Sequence, residues 1–507
     1  MDVHPQPPAA SAGSAACEER REPAFAEQVK SGVIWRSGSQ LVGQLIAWTS
    51  TFLVIRMLNP GDYGLVAMTA VVLTFLGLFN GWGFASALVR DEKTDKHKIG
   101  QAFGMLLLMN GGLAAAQWLA APYAASYFHQ PMVVDLLRVQ ALFFLANPFT
   151  ALGHALLVRR LDFKRQSRID LLAAAVSAAT ALSCAYAGLG VWTLVAAPAA
   201  LWYSRALGYA VAARLWQIRP RFSFKGAGTM LRYGTAMVAV QACWFVQSQA
   251  DVFIAGRVLD PHRLGLYTTA LFLTQILAAK FVPPLNEVAF AAYSRIQTRR
   301  DVIQTAFLKS VRLIMLVALP FYFGLAATAE PFVLTFLGPK WIETAHLVPV
   351  LAMAMPLVTL QILFAPATNA LGRPGLALRT GLVGAALMPA AFFAGIQWGV
   401  EGLAWAWFGG MAVLLAATVE MSRPVIGISR RALLGAVAPG LAAAAAMAAS
   451  VALLDAALPA IGPGPRLAML IAAGMAAYAG LLVLFARPIV DEVLALVRPR
   501  RAAAQTL

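Results

Sequence analysis

RMLNPGDYGL occupies residues 56–65 and RVLDPHRLGL occupies residues 257–266. The two align without a gap, pairing Arg56 with Arg257, Leu58 with Leu259, Pro60 with Pro261, Gly64 with Gly265 and Leu65 with Leu266. Proline after Asn59 or Asp260 stops one helix and opens a turn, and the glycine admits the chain to the next helix. Each stretch therefore predicts the same hairpin between two helices.

Outward from these hairpins, fourteen apolar windows fill the chain: 33–55, 63–89, 99–122, 133–157, 170–188, 192–213, 231–255, 264–285, 305–328, 346–368, 378–396, 400–420, 433–454 and 466–486. Each approaches the roughly 20 residues needed to cross about 30 Å of hydrocarbon. With 60% of its 507 residues hydrophobic, 12% charged and a mean hydropathy of +0.70, the chain cannot be one soluble core. Lipid offers the backbone no hydrogen-bond partners, so the windows must be helices. The predicted fold is an all-α, polytopic integral membrane protein with 12–14 transmembrane helices. The short Gly188-Leu189-Gly190 connection and the Ala-rich window 433–454 set the lower count.

Six crossings separate the two hairpins, and an even number points both copies the same way. This predicts a parallel repeat of two six-helix lobes about a pseudo-twofold axis along the membrane normal, with a substrate path between the halves. The expected divisions are a disordered cytoplasmic tail (1–30), an N-terminal lobe (31–215), a C-terminal lobe (216–432), and two further helices with a cytoplasmic tail (433–507). Residues 1–30 are rich in Pro, Ala and charge and lack the apolar core of a signal peptide.

The net charge of +17 is carried in runs such as RDEKTDKHK (90–98), RRLDFKRQSR (159–168) and RIQTRRD (295–301). Placing the N-terminus in the cytoplasm puts most of the 40 Lys and Arg residues on that side, and brings the C-terminal RPRR (498–501) back to it. Arg56, Arg138, Arg257, Arg263, Lys340 and Arg466 fall outside. Basic residues spread over every inner loop do not make a nucleic-acid-binding domain, and anionic headgroups of the phospholipid bilayer are the expected partner. Cys17, Cys184 and Cys243 stand far apart, which suggests neither disulfides nor a metal site. Gly100 and Gly104 have the spacing of a helix-packing motif.

In order and spacing, several stretches resemble the Wzx-type polysaccharide transporters of the multidrug, oligosaccharidyl-lipid and polysaccharide exporter superfamily. RMLNPGDYGLVAM (56–68) is similar to the family's opening signature. In ADVFIAGRVLDPHRLGLY (250–267), Asp251, Gly256, Leu259, Gly265 and Tyr267 fall on its second-half pattern. VRRLDFKR (158–165), LGPKW (337–341) and NALGRP (369–374) add to the likeness. The resemblance implies a bacterial inner-membrane flippase with both termini cytoplasmic and no cofactor. It would move undecaprenyl-diphosphate-linked oligosaccharide to the periplasmic leaflet by alternating access, for exopolysaccharide, capsule or lipopolysaccharide. A polysaccharide polymerase with its chain-length machinery would be a partner, and H+ or Na+ a coupling ion.

A carrier for such a lipid needs cations and hydrogen-bonding groups inside the membrane. Arg36, Gln40 and Gln44 recur every four residues on one face of the first span, where exposure to lipid would be costly for the Arg. Gln241, Trp244, Ser248 and Asp251 share a stripe of the seventh span, with Gln247 one turn before Asp251; Trp244 suits stacking on a sugar, or plain packing. Arg205 and Lys280 lie about 20 Å below the outer surface at 1.5 Å per residue, placed either for a diphosphate or to snorkel to inner headgroups. Asp251 and His154 are candidates for ion coupling. Asp251 can equally pair with Arg257 or cap its helix, and His154 with Asn147 can simply tie helices together. Pro283-Pro284 interrupts the eighth span's hydrogen-bond ladder, as a hinge or a fixed bend.

Two rivals remain. A membrane polymerase or ligase would usually carry a large outer loop, but the longest outer segment, about 329–345, is short, and no paired acidic motif appears. A multidrug cation antiporter would want intramembrane carboxylates, whereas the charges inside these spans are mostly basic.

Overall fold

Pro60 and Pro261 each open a helix, Pro60–Gly77 and Pro261–Arg295, at the position where a missing N–H costs nothing. The Asn59 N–H donates to Asp62 Oδ2 at 3.1 Å, and the Arg263 N–H to Asp260 Oδ1 at 3.0 Å, so both starts are capped. The two quoted stretches therefore build the hairpins their sequences predict.

The computed structural model describes residues 35–36, 38–80, 96–223, 228–459, 461–485 and 487. The proposed 1–30 tail with Cys17, residues 90–95 of the first basic run, and RPRR at 498–501 lie outside the described residues.

Fourteen long helices follow one another among those residues: α1 (Gly38–Met57), α2 (Pro60–Gly77), α3 (Lys96–Phe128), α4 (Met132–Arg159), α5 (Phe163–Tyr186), α6 (Thr193–Ala213), α7 (Gly228–Val258), α8 (Pro261–Arg295), α9 (Arg300–Ala327), α10 (Thr344–Ile362), α11 (Pro374–Gly395), α12 (Gly399–Ile426), α13 (Arg430–Ala457) and α14 (Pro463–Phe485). Each overlaps one of the fourteen apolar windows, residues 81–89 of the second lying outside the described residues. Eleven stretches are long and apolar enough to cross a membrane, and the longest, Pro374–Ile426, turns at Ile396–Trp398 and so holds both α11 and α12. No strand occurs among the described residues. The chain is an all-α, multi-pass membrane protein.

The chain divides into two compact units. The first takes residues 1–51, 80–119 and 138–234; the second takes 52–79, 120–137 and 235–507. This grouping crosses the sequence boundary near residue 215. In the second unit α2 lies directly on α8. A Cβ on Gly64 would strike the Pro261 carbonyl, and a Cβ on Gly265 would strike the Pro60 carbonyl. The repeated hairpins are thus in reciprocal backbone contact. Residue 341 closes the same region, where the buried Trp341 indole donates to the Ile55 carbonyl at the end of α1 (3.0 Å).

In the first unit, Gly100 and Gly104 do not pack against another helix, as their spacing suggested. The extended segment after α6 lies on them: the Arg221 N–H donates to the Gly100 carbonyl (2.8 Å), and a Cβ at either glycine would meet the Arg219 or Arg221 backbone. The same small-residue surface that admits a helix admits a strand-like connector. In the second unit α8 continues through Pro283 and Pro284 as one helix, both prolines on an exposed face.

Candidate functional site

Glycines bring α4, α5 and α6 together in the first unit. Gly153 of α4 faces the Tyr209 backbone, and Gly208 of α6 faces the Ile169 side chain, each too close to admit a Cβ. Polar residues beside these crossings meet as a result. Arg205 Nε lies 3.0 Å from Asp170 Oδ1. The Tyr209 hydroxyl donates to Asp170 Oδ2 at 3.3 Å, and the His154 ring stands edge-on to Tyr209 with centroids 5.7 Å apart. Asp170 therefore holds Arg205 and Tyr209 at once, with His154 beside them. Asn147, a helical turn or two from His154, donates to Asn80 Oδ1 (2.7 Å) and Asn110 Oδ1 (3.3 Å).

Arg36 and Gln40 are exposed and Gln44 is half-buried. The Arg36 guanidinium sits 6.0 Å from the Phe163 ring centroid, and Lys164 Nζ sits 5.4 Å from that of Trp35. Among the described residues no carboxylate pairs with Arg36. The first unit thus holds these two arginines differently, Arg205 paired with Asp170 and Arg36 exposed near the Phe163 ring.

The stripe expected on α7 divides by environment. Gln241 is exposed and Trp244 is 60% exposed. Gln247 donates to the Gly381 carbonyl of α11 (3.0 Å), and its amide fills the space beside Gly384 that a Cβ would need. The Ser248 hydroxyl turns back to the Phe245 carbonyl at 3.4 Å. Asp251 is fully buried; its Oδ2 accepts the Tyr267 hydroxyl (2.7 Å) and the Trp407 indole N–H (3.2 Å), and Oδ1 accepts the Val252 N–H (2.7 Å). It neither pairs with Arg257 nor caps the outer end of its helix, which runs on to Val258: Arg257 lies over the Tyr127 ring, 4.9 Å from its centroid. Lys280 is exposed on α8 one turn before Pro283 and Pro284.

Sequence reasoning missed Asp170, Tyr209, Tyr267 and Trp407. Asp170 stands at the edge of its apolar window and reads as a boundary residue. Tyr267 was quoted as a family position with no role attached, and nothing in local spacing links Trp407 to Asp251. Among the described residues no group of three or more His, Cys, Asp or Glu could hold a metal ion.

The fold defines an all-α, multi-pass membrane protein. The structure is similar to lipid II flippase MurJ in an inward closed conformation, with a TM-score of 0.74 over 90% of this chain and 100% of that one at 12% identity. It is also similar to an inward-facing multidrug resistance MATE family transporter, with a TM-score of 0.57 over 78% and 98% of the two chains at 15% identity. Residues 53–346 match the family described as polysaccharide biosynthesis protein, and the chain belongs to that family. Relatives include the teichuronic acid biosynthesis protein TuaB of Bacillus subtilis, 22% identical over 65% of this chain and 69% of that protein. The succinoglycan biosynthesis transport protein ExoT of Rhizobium meliloti is 25% identical over 63% and 65%, and the lipopolysaccharide biosynthesis protein WzxC of Escherichia coli 21% over 64% and 66%. The chain spans about two thirds of the length of these relatives.

Proposed function

We propose that the chain is a flippase, not an enzyme, carrying lipid-linked oligosaccharide from the cytoplasmic to the periplasmic leaflet of the bacterial inner membrane, with both termini in the cytoplasm. The observation that carries this reading is the contrast between two arginines of one unit. Arg205 is neutralised by Asp170, whereas Arg36 is exposed beside Gln40 and has no carboxylate partner among the described residues.

A diphosphate is a strong acceptor for a guanidinium, and the Gln40 and Gln44 amides suit the first sugar hydroxyls. On the predicted topology these groups lie toward the inner leaflet, where such a lipid is made. Within the second unit, the exposed Gln241, Trp244 and Lys280 are proposed headgroup contacts in their own right. Gln247 serves the headgroup by holding α7 against α11, Ser248 is a further polar group on the same stripe, and H+ or Na+ coupling through His154 remains part of the proposal. Relatives named for transport and for polysaccharide assembly support this substrate class; short outer segments and the family weigh against a polymerase.

The test is deletion in the host followed by extraction of lipid-linked intermediates and complementation with Arg36→Ala. Accumulation of complete repeat units in the inner leaflet, not relieved by Arg36→Ala, is expected. Polymer of normal amount but altered chain length would favour a polymerase.

A further inference from the structure

The turn between α11 and α12 holds a cleft that none of the residues above lines. Gly395 and Gly402 press together so closely that a Cβ on either would strike the other's backbone carbonyl. Gly399 takes φ +71°, which L side chains rarely adopt. This glycine-built corner leaves a cavity of about 460 Å³ lined by Trp398, Glu401 and Trp405, with Ala391, Ala394 and Ala406 among its small residues. Trp398, in the turn, and Trp405, on α12, are 76% and 59% exposed, and both line the cleft together with Glu401 of the first turn of α12. Phe408 meets Trp405 nearly edge-on at 6.0 Å, which fixes the attitude of that indole.

We propose that this cleft is a carbohydrate subsite that takes a neutral pyranose unit. A pyranose ring presents a face of C–H groups that stacks on indole, while its hydroxyls donate to a carboxylate. The cavity falls in the range of about 300–1,000 Å³ typical of small-ligand sites, enough for one or two sugar rings. No Lys or Arg lines it and Glu401 is anionic, so it disfavours a phosphate or an anionic lipid headgroup. Interfacial tryptophans that only anchor a protein to the bilayer need no cleft beside them and no carboxylate in its lining. By crossing parity this turn lies on the same side as the α1–α2 hairpin, the side predicted to face outward. The site therefore receives the sugar head as it emerges, and in that placement alone it rests on the proposed function.

Saturation-transfer NMR on the full chain in nanodiscs, with cellobiose, lactose and gentiobiose as probes, tests binding without any lipid carrier. Saturation of the ring protons is expected. It should weaken about tenfold in Trp398→Ala and Trp405→Ala and severalfold in Glu401→Gln. Trp405→Phe, which keeps an aromatic face, retains most of it and guards against a folding artefact, and the exposed Trp216→Ala leaves it unchanged. Absent saturation, or saturation indifferent to Trp398 and Trp405, overturns the subsite. So does a pair of variants that bind sugar normally but hold the bilayer less firmly, which makes the tryptophans membrane anchors. A chain that flips lipid-linked sugar yet binds no disaccharide here sinks the subsite and leaves the flippase standing.

Discussion

Gly64 and Gly265, 201 positions apart in sequence, occupy each other's hairpin, each lying where a side chain would strike the proline carbonyl that opens the partner helix. A repeat visible in the sequence thus becomes a contact in the second unit. Substituting either with leucine forces two backbones apart, and a loss of at least about 3 kcal/mol is expected. Gly61, one turn away with nothing within 4 Å, is the control, and Gly61→Ala should stay within about 0.5 kcal/mol. Thermal unfolding in detergent, followed by monodispersity, measures both.

Asp170 and Arg205 are half-exposed, with side chains 46% and 32% accessible, so their pairing is worth about 1 kcal/mol after screening. A double-mutant cycle of Asp170→Asn and Arg205→Gln should return a coupling of that size. Activity should fall less than in Arg36→Ala, because Arg205 already has a counter-ion. A null coupling, or an Arg205 variant more damaging than Arg36→Ala, would move the phosphate-binding role to Arg205.

Asp251 is buried and accepts from Tyr267 and Trp407, which also bond to each other at 2.8 Å. Asp251→Ala leaves buried donors without an acceptor, at about 1–3 kcal/mol. Tyr267→Phe and Trp407→Phe should cost less, and each should be non-additive with Asp251→Ala because the three form one network. Additive losses in a thermal-shift series would break up the network.

The connector lying on Gly100 and Gly104 gives a prediction readable by proteolysis. Gly104→Val removes the bed for Arg221, and trypsin should then cut purified protein at the Arg221–Phe222 bond severalfold faster, the Arg219–Pro220 bond being resistant in any state. Unchanged cleavage would mean that the segment is held elsewhere.

How much was legible follows from the range of each signal. Helices and hairpins were readable because the bilayer fixes their length and because Pro60, Pro261, Gly64 and Gly265 act within a few residues. The shared face of Arg36 and Gln40 was readable for the same reason. The partners of Arg205 and Asp251 were not, since Asp170 lies on another helix and Trp407 lies 156 residues from Asp251. Small residues at 100 and 104 announced a close approach without saying whether a helix or an extended segment would make it. The stripe on α7 was read as one surface, but helix packing buried its far end and left Trp244 exposed.

Purified protein reconstituted in liposomes that carry a labelled polyprenyl-diphosphate oligosaccharide in one leaflet gives the most direct measurement. The chain should move label to the opposite leaflet well above protein-free vesicles, with Arg36→Ala slowing transfer at least about tenfold, the scale of one lost charge-assisted contact. Transfer equal to that of empty liposomes, or undiminished in Arg36→Ala, would contradict a cation-guided flippase.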